Sequence, residues 1–230
     1  MKMLYSGKAK EIYDIGEEGH ILMRFKDDIT AGNGKKHSIL EGKGKLTYRT
    51  NKYFFNIVSD VPNHYVRDFD EVAFVAKKLK MLPLEVVMRN FTAGSFCKRY
   101  GVKKGMRLKK PLFELFLKDD SLGDPLICEE TTIALGLTNA DTVSKMYIYT
   151  SKINHILSEF LLKHSILLVD FKLEFGFDED GELLVGDEIT QDTCRFWDAD
   201  TKESLDKDVY RESIGDPREA YRILLERIGG

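Results

Sequence analysis

The strongest constraint on the fold is a segment at residues 168–176, LVDFKLEFG, in which charged and apolar side chains alternate. Successive side chains of a β-strand point to opposite faces of a sheet, so the pattern predicts a strand with one charged and one apolar face. The charged positions are Asp170, Lys172 and Glu174, and the apolar positions are Phe171, Leu173 and Phe175. A core must cover the apolar face, and 230 residues with 43% hydrophobic side chains suffice for one domain or two small lobes.

A second acidic stretch, GDE at residues 186–188, lies beyond a turn-like DEDG sequence. Residues 166–175 and 182–189 are predicted to form a β-hairpin, which brings Asp187 within a residue or two of facing Glu174. Two carboxylates so close repel each other unless a cation or a lysine lies between them. Since Mg²⁺ is bound by one or two carboxylates together with substrate phosphates, the pattern favours a magnesium site. The alternative is a solvated strand face with alternating charges.

The first residues of the chain carry a basic segment, YSGKAKEIY at residues 5–13. Gly7 allows a ligand to approach the backbone of a strand closely. Lys8 and Lys10 are two residues apart and therefore share a face, where they could cover a triphosphate. Taken alone, the segment favours an exposed edge strand in which lysines discourage aggregation.

A third candidate site joins the end of an apolar strand at residues 83–89 to a short helix that starts near residue 95. Arg89 ends the strand, and Ser95 is a candidate N-cap. A helix N-terminus offers free N–H groups and Arg grips oxyanions, so the stretch is a candidate phosphate site. The alternative is a capped helix beside a surface arginine. Arg195, at the end of DEITQDTCR, is a candidate second anion contact.

Other segments predict a mixed architecture of strands and helices. Residues 27–44, rich in Gly and Lys, are predicted to be an irregular, mobile connection, and their DDITAGNG stretch suits a loop that covers a substrate. Strands are predicted at 4–15, 20–25, 72–78, 84–89 and 108–117, and helices at 45–59, 95–100, 139–163 and 217–228. Residues 81–83 are predicted to connect two strands. The fold class is therefore predicted as α+β, with a small N-terminal lobe.

Composition excludes several classes of protein. A net charge of −3 argues against a general nucleic-acid binder. The three cysteines are far apart and form no CxxC pair, so we expect a reducing compartment rather than a disulfide framework or a zinc site. No signal peptide and no apolar run of about 20 residues is present, so we expect a cytoplasmic protein without a membrane span. No Ser–His–Asp arrangement or GxxxxGK[ST] loop occurs, which indicates chemistry without an enzyme nucleophile.

Two long stretches, MLPLEVVMRNFTAGS at 81–95 and LVDFKLEFG at 168–176, resemble the signatures of the phosphoribosylaminoimidazole-succinocarboxamide synthase (SAICAR synthetase) family. The YSGKAKEIY, DDITAGNG, ELFLKDD and GDEITQDTCRFWD segments follow the order of that family. The resemblance covers essentially the whole chain. It implies an ATP-dependent ligase that joins 5-amino-1-(5-phosphoribosyl)imidazole-4-carboxylate to L-aspartate through an acyl phosphate, yielding SAICAR, ADP and phosphate.

The resemblance also implies an architecture and a set of site residues. ATP would lie in a cleft between a β-rich lobe, residues 1–80, and an α+β lobe, residues 81–230, in a homodimer. The residues implied for the nucleotide are Gly7, Lys8, Lys10, Met81, Leu82 and Lys118; for Mg²⁺, Glu174 and Asp187; for catalysis, Lys172 and Asp170; and for the phosphoribosyl substrate and aspartate, Arg89, Ser95, Arg195, Asp28 and Asn33.

Two other functions remain as alternatives. A small-molecule or protein kinase would also place a glycine-containing hairpin over ATP, but the HRD and DFG sequences are missing. A non-catalytic nucleotide- or RNA-binding module would be expected to be basic, with interleaved aromatic residues.

Overall fold

The computed structural model describes residues 1–32 and 34–229. The strands are β1 (Lys2–Ser6), β2 (Lys10–Asp14), β3 (His20–Phe25), β4 (Asp28–Ala31), β5 (Lys36–Ile39), β6 (Tyr65–Asp68), β7 (Ala73–Lys77), β8 (Lys80–Phe91), β9 (Arg107–Leu117), β10 (Leu126–Ile127), β11 (Ile166–Phe177), β12 (Leu183–Gly186) and β13 (Cys194–Asp198). The helices are α1 (Lys43–Ile57), α2 (Gly94–Tyr100), α3 (Glu129–Ala134), α4 (Ala140–Lys163), α5 (Asp208–Arg211) and α6 (Pro217–Ile228). Strands and helices mix along the chain, and the predicted α+β class is confirmed.

The N-terminal sheet is antiparallel and has the strand order β1-β2-β3-β7-β6. Its first hairpin turns at residues 7–9, where the backbone N–H of Gly7 donates to the carbonyl of Lys10 at 2.8 Å. The basic segment of the sequence therefore forms the tip of a hairpin at the edge of this sheet.

The second sheet has the order β10-β9-β8-β11-β12, with β13 also paired to β11. Strand β11 lies at its centre and is antiparallel to β8 along one edge. Along the other edge it pairs with β13 at its start and β12 at its end. Between those partners, the N–H of Lys172 donates to the carbonyl of Thr193 at 2.9 Å. The chain from β12 to β13 therefore passes directly alongside the middle of β11.

The core lies on the apolar face of β11, which helix α4 covers. The alternating residues Phe171, Leu173 and Phe175 are at most 1% exposed. Helix α4 begins where the side chain of Asn139 accepts a hydrogen bond from the N–H of Thr142 at 2.9 Å, which caps this end.

Helix α1 links the cores of the two sheets. Phe54 and Phe55 belong to the large core cluster beneath β11. The Phe55 ring also lies 5.9 Å from the ring of Tyr65 and 6.5 Å from that of Phe74, both in the N-terminal sheet. Aromatic pairs at these separations add to the burial of apolar area, so α1 fixes one sheet against the other.

Three local predictions were wrong. Residues 27–44 include an ordered hairpin of β4 and β5 rather than an irregular connection, because two four-residue strands pair in register from Asp28 with Ile39 to Ala31 with Lys36. Ser95 is not an N-cap: Ala93 occupies that position without a side-chain hydrogen bond. Strand β8 starts at Lys80, so residues 81–83 lie inside a strand and not in a connection. Among the described helices, none is long and apolar enough to span a membrane.

Candidate active site

A cleft of about 680 Å³ opens between the β1–β2 hairpin tip and the charged face of β11. Its floor also includes the start of β8 and the chain that follows β12. Eight of the residues implied by the sequence line this cleft: Gly7, Lys8, Lys10, Met81, Lys118, Lys172, Glu174 and Asp187. Five of the six implied nucleotide residues, both implied metal residues and Lys172 thus converge, although they come from distant parts of the chain.

Lys172 lies at the centre of the acids in the cleft. Its Nζ atom is 2.7 Å from Glu174, 3.0 Å from Glu85 and 3.7 Å from Asp187. The strand register explains this meeting, because Glu174 faces Glu85 across β8 and faces Gly186, the neighbour of Asp187, across β12. The predicted approach of Asp187 to the position facing Glu174 is confirmed.

Two further lysines complete what we call the acid–lysine centre. Lys118 pairs with Glu174, and Lys10 pairs with both Asp187 and Glu188, the latter at 2.6 Å. The centre consists of Lys10, Glu85, Lys118, Lys172, Glu174, Asp187 and Glu188. Four carboxylates and three ammonium groups leave it with one excess negative charge.

The charges of the centre are stabilised by one another. Burial alone would lower the pKa of Lys172, but Glu174 and Asp187 raise it well above its ordinary value. Burial would raise the pKa of Asp187, but Lys10 and Lys172 hold it below its ordinary value. Lys172 is therefore an ammonium and Asp187 a carboxylate at neutral pH.

The backbone of Asp187 is unusual, and His64 holds it in place. Asp187 has φ of +58°, a left-handed conformation that is strained for a residue with a side chain. His64 contacts this segment twice. Its backbone N–H donates to the carbonyl of Val185 at 3.0 Å, and its ring Nε2 lies 3.0 Å from the carbonyl oxygen of Asp187. Burial lowers the pKa of His64 to about 4, so the ring is neutral at pH 7. Because a carbonyl only accepts, Nε2 carries the proton of that neutral ring.

The donor set of the cleft fits Mg²⁺ only together with a phosphate ligand. Among the described residues, no group of three or more His, Cys, Asp or Glu side chains is arranged to hold a metal. Glu174 and Asp187 do meet at Lys172, and their surroundings carry excess negative charge. Two carboxylates suit Mg²⁺ when substrate phosphates complete its coordination.

A second charged group, the arginine cluster, lies at the other end of the charged face of β11. Arg89 is 3% exposed and donates to Glu114 at 2.5 Å and to Asp170 at 2.7 Å. Arg195 donates to Asp170 at 3.0 Å and to Asp208 at 2.7 Å. Asp170 therefore joins the two arginines, and it lies four residues from Glu174, about 13 Å along the strand.

The start of α2 lies against this cluster. Gly94 has φ of +54°, and a Cβ atom added there would lie 2.5 Å from a terminal guanidinium nitrogen of Arg195. Only glycine permits both this conformation and this approach. Ser95 follows in the first turn, so Arg89, Ser95 and Arg195 are brought to one region, as expected for a shared anion site.

Comparison with known proteins places the chain in a family. A family model described as SAICAR synthetase matches residues 3–228. A phosphoribosylaminoimidazole-succinocarboxamide synthase from Finegoldia magna is 46% identical over 232 residues, covering 100% of both chains. The chain belongs to the SAICAR synthetase family.

Solved structures of SAICAR synthetases share this fold. A SAICAR synthetase in complex with ADP is 43% identical, with a TM-score of 0.95 over 99% of this chain and 97% of that one. The phosphoribosylaminoimidazole-succinocarboxamide synthase of Ehrlichia chaffeensis is 37% identical, with a TM-score of 0.96 over 99% and 98% of the two chains. The arrangement of sheets and cleft is therefore that of the SAICAR synthetase family.

Some residues implied by the resemblance to SAICAR synthetases lie elsewhere. Asp28 is in β4, where it accepts from His37 at 2.7 Å and pairs with Lys26 at 3.5 Å, and it does not line the cleft. The side chain of Leu82 is 8% exposed and belongs to the core. Asn33 falls outside the described residues.

The cleft also contains residues that sequence reasoning missed. Glu85 had a local signal, because it shares the polar face of β8 with Arg89, four residues on. His64 and Lys207 line the cleft without belonging to any pattern in the sequence, and Asp192 lies in the DEITQDTCR stretch but was not singled out there. Their positions depend on long-range packing of loops, which local periodicity does not record.

Proposed function

We propose that this chain is an ATP-dependent ligase that condenses 5-amino-1-(5-phosphoribosyl)imidazole-4-carboxylate with L-aspartate to give SAICAR, ADP and phosphate in purine biosynthesis. Family membership supports the reaction. The observation that carries the proposal to this chain is the presence of two charged clusters on one strand, the acid–lysine centre at Lys172 and Glu174 and the arginine cluster at Asp170.

The nucleotide end of the cleft is proposed to be the β1–β2 hairpin tip. Lys8, Lys10 and Lys118 now pair with carboxylates, and phosphate oxygens are acceptors that ammonium groups can exchange for them. Gly7 lets the phosphates approach the hairpin backbone. Met81, at the start of β8 and 41% exposed, would border the base, and Leu82 would contribute only main-chain atoms because its side chain is in the core.

We further propose that Glu174 and Asp187 hold Mg²⁺ together with the phosphates of the nucleotide. When bound, the ion would neutralise charge on the transferring phosphoryl group. Its two positive charges would also offset the excess negative charge of the acid–lysine centre.

The ribonucleotide is proposed to span the charged face of β11. Its 5′-phosphate would lie at Arg89, Ser95 and Arg195, and its carboxylate would reach the acid–lysine centre near Lys172. Asp170 orients both arginines and lies close to the path between these ends. The planar guanidinium of Arg can donate two hydrogen bonds to phosphate oxygens. This supports placing the 5′-phosphate, rather than the carboxylate, at the arginine cluster.

The proposed chemistry needs positioned charges and no enzyme nucleophile. The ring carboxylate attacks the γ-phosphorus of ATP, forming an acyl phosphate and releasing ADP. The amine of aspartate then attacks the acyl carbon, phosphate leaves with the bonding electrons, and the amine loses its proton as the amide forms. Lys172, held as an ammonium, stabilises negative charge on the transferring oxygens and does not act as a base.

An assay of ADP release tests the reaction. The proposed ligase releases ADP at full rate only when the imidazole ribonucleotide and aspartate are both present. A kinase would release ADP without aspartate, and a non-catalytic binding module would release none. Either result, obtained with a protein that binds ADP by calorimetry, would contradict the proposal.

The proposal also covers the two lobes, the cellular location and the oligomeric state of the protein. A nucleotide-covering lobe of residues 1–80 and a substrate lobe of residues 81–230 are supported by the two sheets, although α1 packs against both. A cytoplasmic location is supported by the three free thiols of Cys97, Cys128 and Cys194. The proposed homodimer predicts twice the chain mass of 26.4 kDa by light scattering.

A further inference from the structure

Lys207 lies in the wall of the cleft without a close counter-ion. It precedes helix α5, and its backbone N–H donates to the carbonyl of Gln191 at 3.1 Å. Its side chain is 12% exposed, and within the described part of the chain its one carboxylate neighbour within 4 Å is Asp192, with Nζ and Oδ1 3.9 Å apart. That separation is too long for a hydrogen bond, so Lys207 has no hydrogen-bonded carboxylate among the described residues.

Asp192 does not neutralise Lys207, because other groups already use its oxygens. Lys43, whose side chain is fully buried, pairs with Oδ2, and the hydroxyl of Tyr221 donates to Oδ1 at 2.8 Å. Two ammonium groups therefore share one carboxylate, and the next acid, Glu188, is hydrogen-bonded to Lys10 and Thr190. A partly buried ammonium without a hydrogen-bonded carboxylate favours the binding of an anion beside it.

Most other lysines that line the cleft have a close carboxylate; Lys77 pairs with Asp178, and Lys78, which has none among the described residues, is exposed to solvent. Lys8, Lys10, Lys118 and Lys172 each lie within 3.0 Å of a carboxylate oxygen. Burial lowers the pKa of Lys207, with Asp192 opposing and Lys43 adding to the effect, which agrees with an ammonium that lacks compensation.

We propose that Lys207 binds a carboxylate of the amino-acid acceptor, aspartate; this assignment rests on the proposed function. The reactants bring four kinds of anionic group: the triphosphate, the ring carboxylate, the 5′-phosphate and the acceptor carboxylates. The first three have proposed partners in the hairpin lysines, the acid–lysine centre and the arginine cluster. The acceptor carboxylates have none, and Lys207 is the buried cation of the cleft wall that lacks a hydrogen-bonded anion among the described residues.

The position of Lys207 suits an amine that attacks at the acid–lysine centre. Asp192 and Thr193 line the cleft beside it, and the carbonyl of Thr193 accepts from the backbone N–H of Lys172 at 2.9 Å. An acceptor held at Lys207 would therefore lie on the β13 side of β11, next to the middle of the strand. The ammonium–carboxylate hydrogen bond would fix its position and select for an anionic amino acid.

The test compares Lys207→Met with Lys45→Met, which removes an exposed lysine of α1 that pairs with Glu71. We expect Lys207→Met to raise the KM for aspartate by about tenfold or more, as loss of one charge-assisted hydrogen bond implies. The KM values for ATP and the ribonucleotide should stay within about twofold, and Lys45→Met should match the wild type in all three. Lys207→Arg, which keeps the charge, should recover part of the aspartate affinity.

Three results would overturn the assignment: an unchanged KM for aspartate, a raised KM for the ribonucleotide alone, or equal changes for all three substrates with a lower melting temperature. If Lys207→Met does not fold, Lys207→Gln is measured in the same way. If the wild-type protein makes no product from the three substrates, both the proposed function and the Lys207 assignment are wrong. If the wild type makes product but the KM for aspartate is unaltered in the variant, only the Lys207 assignment is wrong.

Discussion

His64 Nε2 lies 3.0 Å from the carbonyl oxygen of Asp187, which adopts a left-handed backbone with φ of +58°. Strained residues of this kind persist where surrounding contacts determine their conformation. The His64 ring packs against Phe55 and Phe74, with both ring centroids 5.6 Å away. The core thereby positions, through one imidazole, the backbone of a residue in the acid–lysine centre.

Replacement of His64 by Phe keeps the ring packing but removes the donor to Asp187. We expect kcat to fall by about fivefold, since one lost hydrogen bond corresponds to about 1 kcal/mol. His64→Gln offers an amide donor and should retain more activity than His64→Phe. Steady-state kinetics at saturating substrates measures both, and equal activity in the two variants would argue against positioning by this hydrogen bond.

Burial of neutral His64 also predicts a pH dependence of stability. Its pKa is about 4 in the folded chain and about 6.5 when unfolded, so between these values the unfolded chain binds more protons. The free energy of unfolding is therefore unaffected by His64 above about pH 6.5, falls as the pH drops from about 6.5 to about 4, and levels off below that.

Relative to His64→Gln, which cannot titrate, the wild type should lose about 3 kcal/mol between pH 7.5 and pH 4. Urea unfolding of both proteins at the two pH values measures this difference. Parallel losses in the two proteins would mean that His64 is not buried as a neutral base.

Removal of Lys172 should abolish activity while the protein remains folded. In Lys172→Ala, Glu85, Glu174 and Asp187 lose the cation between them, and we expect a destabilisation of about 2 to 3 kcal/mol. Because Mg²⁺ can replace the missing charge, it should raise the melting temperature of the variant more than that of the wild type. Thermal melts with and without Mg²⁺ test this. An equal rise of the melting temperature in variant and wild type would mean that Mg²⁺ and the Lys172 ammonium do not occupy the same position.

A second variant, Asp187→Asn, keeps the shape of the side chain and removes one of the two carboxylates, Glu174 and Asp187, proposed to hold Mg²⁺. We expect it to fold and to lose activity. Circular dichroism reports the fold, and ADP release reports the activity. Wild-type turnover in both Lys172→Ala and Asp187→Asn would refute the site assignment.

The contact between Gly94 and Arg195 offers a matched pair of glycine variants. Gly94→Ala should displace the Arg195 guanidinium, because the new Cβ atom would lie 2.5 Å from it. Gly101 ends the same helix with φ of +65°, and no atom lies within 4 Å of an added Cβ. Both variants carry the left-handed penalty of about 1 to 2 kcal/mol, but only Gly94→Ala should raise the KM for the ribonucleotide. A similar KM for the ribonucleotide in both variants would mean that Arg195 does not contribute to binding of this substrate.

Local sequence patterns predicted the elements whose ends and faces are encoded nearby. Helix α6 begins at the predicted Pro217, and Asp216 accepts a hydrogen bond from the N–H of Arg218. The strict alternation of β11 predicted both its buried face and the approach of Asp187 to Glu174. In each case, the determining contacts join residues close in sequence or in one hairpin.

Features set by distant pairing were missed. Strand β13 was not predicted, because its partner β11 is fixed by register across a long loop. Hairpin β4–β5 is local, but it was taken for a mobile connection because its strands are only four residues long and the surrounding sequence is rich in glycine and lysine. His64 and Lys207 enter the cleft only after two sheets and several loops have packed together. The roles of individual site residues stay predictions until the variants are measured.

The central strand β11 is hydrogen-bonded along both edges, and it bears Asp170 and Glu174 at fixed positions. A strand that is hydrogen-bonded along both edges cannot stretch within its sheet. The distance between the acid–lysine centre and the arginine cluster, the two proposed substrate-binding regions, is therefore fixed by four peptide units of β11. Ligands with a longer or shorter reach would leave one region unfilled, so molecular length itself becomes a criterion of selection.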